Sequence, residues 1–116
     1  MAEGIYALYY TGQAGSGFAL MVLNNGFIVG ADITGGTLDG DYTISPDGKT
    51  ISGTVQLKVP PGTVLVTGGP ASATEYTLPI PFSLSETAIE MEQPVKLNLP
   101  TGPVNVVFRK LRDLLS

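Results

Sequence analysis

Thr50-Ile51-Ser52-Gly53-Thr54-Val55-Gln56-Leu57-Lys58-Val59 is the stretch that decides the fold. Ile51, Gly53, Val55 and Leu57 alternate with Ser52, Thr54, Gln56 and Lys58. A period of two turns one set toward a dry interior and the other toward water, which is the pattern of a strand with one buried face. Turn-formers bound it on both sides, Pro46-Asp47-Gly48 before and Pro60-Pro61-Gly62 after. Proline presets φ for a turn and glycine accepts the left-handed position.

Working outward, the same reading predicts strands over residues 3–11, 18–23, 27–33 and 38–45 upstream. Asn24-Asn25-Gly26 makes a tight reversal between the second and third, because Asn and Gly tolerate positive φ. Downstream, strands are predicted over 75–84, 89–99 and 104–109. Tyr76, Leu78, Ile80, Phe82 and Leu84 share one face of the sixth, with Pro79 and Pro81 on the other. Proline cannot donate to a ladder, so this strand is expected to leave one side unpaired. In the seventh, Ile89, Met91, Val95, Leu97 and Leu99 are expected to point inward. Residues 60–74 form the longest irregular connection, a length that often carries function. Within it, Thr63-Val64-Leu65-Val66-Thr67 has the composition of a short strand. The tail over 110–116 is expected to make one helical turn or fray. Short turns favour an up-and-down meander, and eight such strands close into a barrel that removes exposed edges. A two-sheet sandwich is the alternative.

The expected fold is thus all-β, an eight-stranded antiparallel up-and-down barrel, with residues 1–116 forming one domain. The sequence contains no Cys, so no disulfide staples it, which suits a reducing compartment. No secretory signal and no spanning apolar run is readable, so the cytoplasm is the expected location and no membrane span is expected. Net charge is −4, and Glu3, Asp32, Asp39, Asp41 and Asp47 all precede the first base, Lys49. No positive stripe exists for a phosphate backbone, so direct nucleic-acid binding is not expected. Asp39, Asp41 and Asp47 are instead candidate contacts for a basic protein partner.

Catalytic chemistry has few carriers. His and Cys are both absent, which removes Ser-His-Asp, Cys-His and most zinc arrangements. Glu90 and Glu92 read as solvated charges on one strand face. Asp39-Gly40-Asp41 lacks the further ligands of a calcium loop. Gly12, Gly15 and Gly17 follow a strand, but no helix follows them to bind phosphate. No enzyme activity, cofactor or metal is expected.

Asp32 stands out as an acid mid-strand among apolar and small neighbours. Facing inward, it needs hydrogen-bond donors, and Tyr6 and Tyr42 are the candidates. Two roles are open to it, a register-fixing polar anchor and a group that orients an interior ligand. Strands one to three are apolar on both faces. A patch that large usually meets another surface. A homodimer is therefore expected on this sheet, with Ile5, Ala7, Tyr9, Met21, Leu23 and Ile28 as candidate interface residues. A lipid or other small apolar ligand inside the barrel is the alternative function. Its cavity is expected to draw on Leu20, Val22, Ile44, Val55, Ile80, Phe82, Met91 and Phe108.

Gly4-Ile5-Tyr6, then Asn25-Gly26, then Gly30-Ala31-Asp32-Ile33, then Gly40-Asp41-Tyr42 resembles the pattern of the GrlR-type negative regulators of type III secretion. The likeness covers roughly residues 4–55, with Ala31 where the family pattern has a second Gly. It implies a lipocalin-like barrel, homodimeric and in the bacterial cytoplasm. It also implies a repressor that acts by binding a transcriptional activator protein instead of DNA. Members carry an acidic run at the turn between strands four and five. This chain has Ser45-Pro46-Asp47-Gly48-Lys49 there, so those residues are not carried over.

Overall fold

Alternating burial organises the described residues into eight strands and one short helix. A computed structural model describes residues 3–114. The strands are β1 (Gly4–Gly12), β2 (Gly15–Asn24), β3 (Phe27–Asp32), β4 (Thr37–Ile44), β5 (Thr50–Val59), β6 (Tyr76–Ser85), β7 (Val95–Leu99) and β8 (Gly102–Arg112). The helix α1 (Glu86–Glu90) lies between β6 and β7. All ladders are antiparallel and form one sheet in the order β6-β5-β4-β3-β2-β1-β8-β7. The sheet is therefore an up-and-down meander that nearly closes, a lipocalin-like barrel. β1 and β8 are hydrogen-bonded, and the seam lies between β6 and β7.

That seam follows from the prolines. Pro79 and Pro81 lie in β6, opposite Gln56 and Thr54 of β5. One flank of β6 keeps its ladder with β5, and the other lacks the two N–H groups needed for a second.

Tyr6, Met21, Leu23, Ile28, Tyr42, Val55, Val59, Val106 and Phe108 are among the buried side chains of the interior. Close approach bends the sheet enough to wrap around them. Gly30, Gly40 and Gly53 fall at inward positions of three successive strands. A Cβ at any of them would collide with a neighbouring strand's carbonyl oxygen, that of Leu20, Thr54 or Asp41 respectively. Larger residues there would force the strands apart. At the β2–β3 turn, Asn25 and Gly26 take φ of 51° and 82°. Two positive φ values in a row are what a two-residue hairpin with native twist requires.

The expected seventh strand is corrected. Its first part, Ile89 and Glu90, belongs to α1, and only Val95–Leu99 pairs with β8. Ser85 caps the helix by accepting the Ala88 N–H at 3.0 Å, and Glu86 sits in the first turn. A capping serine followed by an acid is a helix start, and it overrode the apolar alternation. Residues 63–67 form no strand; they lie in the long connection. The tail also differs from expectation: β8 runs to Arg112, while Leu115 and Ser116 lie outside the described residues. Among the described residues, no helix is long and apolar enough to cross a membrane.

Candidate functional site

The barrel holds a partly open cavity of about 140 Å³. Its walls are side chains that face inward: Tyr6, Leu8 and Tyr10 from β1, Val55 and Leu57 from β5, Ile80 and Phe82 from β6, and Leu97, Val106 and Phe108 from β7 and β8. Ile89 of α1 also reaches it. The connection between β5 and β6 covers the other end, where Thr63, Val64, Leu65, Val66 and Thr67 complete the lining. Three contacts hold this loop over the barrel mouth. Ala14 N–H donates to the Val66 carbonyl at 2.6 Å. The Thr67 and Thr101 hydroxyls share a hydrogen bond at 2.8 Å. Gly12 lies so close to the Val66 backbone that a Cβ would not fit.

Asp32 sits at this mouth, at the end of β3, half-buried and part of the lining. Its Oδ2 accepts the Tyr10 hydroxyl at 2.8 Å. Its Oδ1 accepts Thr34 N–H at 2.9 Å, the Thr34 hydroxyl at 2.5 Å and Gly36 N–H at 3.1 Å. One carboxylate thus ties the β3–β4 turn and anchors β1. The expected partners, Tyr6 and Tyr42, are replaced by Tyr10. Both of those are buried, and Tyr42 lies at the end of β4 remote from the Asp32 turn. Tyr10 reaches β3 because Gly17 faces it on β2; a Cβ there would strike the tyrosine ring. Period-two reading left the side of Asp32 open and could not measure reach across an intervening strand.

Burial, then the nearby Tyr42 and Asp113, push the Tyr6 phenol up to about 12. Burial first, and the bond to Asp32 second, raise Tyr10 still further. Both phenols therefore remain protonated at neutral pH. Among the described residues lining the cavity, Asp32 is the sole acid and no Lys or Arg contributes.

Asp39 and Asp41 are exposed on the outer face of β4, opposite Val29 and Phe27 of β3. Asp47 stands apart from them in the β4–β5 turn. Its carboxylate accepts the Ser45 hydroxyl at 2.6 Å and Lys49 N–H at 3.0 Å, and these bonds lower its pKa. Asp47 therefore shapes its own turn. Among the described residues, no group of three acids is arranged to hold a metal ion.

The candidate dimer residues divide between two faces, and the set is corrected here. Directly paired residues of an antiparallel ladder share a face. Tyr6 is opposite Met21, and Leu23 is opposite Ile28, so Met21, Leu23 and Ile28 lie inside with Tyr6. They are unavailable to a partner. Ile5, Ala7 and Tyr9 point outward, opposite Val22, Leu20 and Phe18. Of these, Ala7 is itself buried and Tyr9 is exposed. The outer face is completed by residues not foreseen for it: Leu20, Phe27 and Val29 are 44%, 65% and 59% exposed. The expected cavity set is corrected in the same way. Val55, Ile80, Phe82 and Phe108 line the interior, whereas Leu20, Val22, Ile44 and Met91 do not.

Comparison with models of known protein families gave no match. Comparison with curated proteins gave none either.

Proposed function

We propose that this protein binds a small apolar molecule inside the barrel, beneath the connection between β5 and β6. The cavity carries this reading. A volume of about 140 Å³ far exceeds the space needed for one water. It is close to the apolar cavity of about 150 Å³ that admits benzene in a well-studied protein core. It falls below the roughly 300–1,000 Å³ of sites for drug-sized ligands. A ring or a short chain fits this size, and a whole phospholipid does not. The role is binding, without catalysis.

The test is a titration of isotope-labelled protein with benzene, followed through methyl resonances. Shifts of Val55, Ile80 and Leu97, with Leu20 and Val29 unmoved, support an interior site. Shifts restricted to Leu20 and Val29 would remove it.

A second reading rests on the outer face of β1–β3, and it makes the protein a homodimeric regulator. Phe18, Leu20, Phe27 and Val29 form a contiguous apolar surface, and Tyr9 packs against Phe18 in a tilted pair with ring centroids 5.3 Å apart. Asp39 and Asp41 edge this surface along β4, and Arg109 and Arg112 edge it along β8. A two-fold axis parallel to the strands brings the acid rim of one copy to the basic rim of the other. The same acids suit a basic activator protein of the kind the family resemblance implies. Analytical ultracentrifugation distinguishes these outcomes: Val29→Lys is expected to shift a dimer to monomer, and a wild-type monomer would end the dimer reading.

A further inference from the structure

We infer that the cavity selects small apolar ligands with a neutral or cationic hydrogen-bonding head and rejects carboxylate-headed ones such as short fatty acids. This inference rests on the interior-site reading and specifies its chemistry. Tyr10, Asp32, Thr34, Thr63 and Thr67 are the polar residues grouped at the covered end of the cavity. Tyr6 is the other polar side chain of the lining, on β1 beyond Leu8. A ligand with its apolar part against Phe82 and Phe108 therefore presents its head to the Asp32 group.

Asp32 decides what that head is. Four donors converge on its two oxygens, three on Oδ1 and one on Oδ2. Oδ2 therefore keeps acceptor capacity. The Tyr10 hydroxyl spends its proton on Asp32, which leaves the phenolic oxygen as an acceptor toward the cavity. A head that donates a hydrogen bond meets acceptors. A carboxylate head meets a second carboxylate, in a site whose described lining holds no Lys or Arg to offset the repulsion. In a partly dehydrated site that repulsion is much stronger than in water. Lys58 and Lys96, beside the lining residues Leu57 and Leu97, do not relieve it, because they are exposed on outward positions of β5 and β7. Lys110, opposite Tyr6 on β8, is paired with Asp113.

The experiment compares 1-hexanol, hexylamine and hexanoate, which share one chain and differ in the head. Affinities are measured by NMR titration on wild type and on Asp32→Asn. The amide keeps an oxygen for the Thr34 and Gly36 donors while removing the charge. Hexanol and hexylamine are expected to bind wild type at least roughly ten-fold more tightly than hexanoate. In Asp32→Asn the gap between hexanol and hexanoate is expected to shrink to about two-fold or less. Hexanoate binding wild type as tightly as hexanol overturns the inference, as does an unchanged gap in Asp32→Asn. If benzene shifts the interior methyls but the heads are not distinguished, the selectivity fails and the interior site stands. If neither benzene nor hexanol binds, both fail together.

Discussion

The Tyr10 hydroxyl donates to Asp32 Oδ2 at 2.8 Å, joining β1 to β3 across the whole width of β2. No backbone ladder connects those two strands. The side-chain bond adds a tie perpendicular to the strands at the covered end.

Tyr10→Phe removes that tie and leaves the turn bonds of Asp32 intact. The expected loss is about 1 kcal/mol. Asp32→Ala strips the acceptor from Thr34 and Gly36 as well, and is expected to cost about 2–3 kcal/mol. Urea denaturation measures both as a lower midpoint at unchanged slope.

Gly17→Ala is expected to act through Tyr10. The added Cβ strikes the tyrosine ring, which must swing away from Asp32. The substitution is expected to cost about 1 kcal/mol or more in wild type and markedly less in a Tyr10→Ala background. Equal losses in the two backgrounds would mean that the strand itself, and not the ring, bears the strain.

Alkaline pH is expected to weaken the fold through its buried phenols. Tyr6 rises from 10.0 to about 12 in the folded state, and Tyr10 rises also. The unfolded chain therefore loses these protons first, so it binds fewer of them than the native state. Stability from this source is complete below pH 10 and is lost as pH climbs through 12. Thermal melts between those values, with Tyr6→Phe as control, check the sign. The variant is expected to show a shallower decline.

Thr67→Val breaks the hydroxyl pair with Thr101 and loosens the loop without touching the core. Global stability is expected to change by less than about 1 kcal/mol. Amide exchange of Ala14, whose N–H is held by the Val66 carbonyl, is expected to accelerate. Unchanged Ala14 protection would show that Leu65 and Val66 hold the loop by apolar contact alone.

Much of the fold was legible because strands announce themselves locally. The alternation over 50–59 matched β5 residue for residue. Asn25-Gly26 marked its hairpin, and the two prolines of β6 marked the open edge of the sheet. The helix at Glu86–Glu90 was hidden because five residues carry too little periodicity to outweigh the alternation running through Ile89 and Met91. Ser85 was the available signal.

The chain alone established two alternating faces, where they turn, and that an inward Asp32 needs donors. It did not establish which face of β1–β3 is inside, because both are apolar there and alternation says only that they differ. Pairing register settled that point by setting Met21 opposite Tyr6 and Ile28 opposite Leu23. Closure of the sheet likewise chose Tyr10 over Tyr6 and Tyr42, since reach across a curved wall depends on neighbours distant in sequence. Alternation is a property of adjacent residues, whereas a cavity is a property of strands brought together.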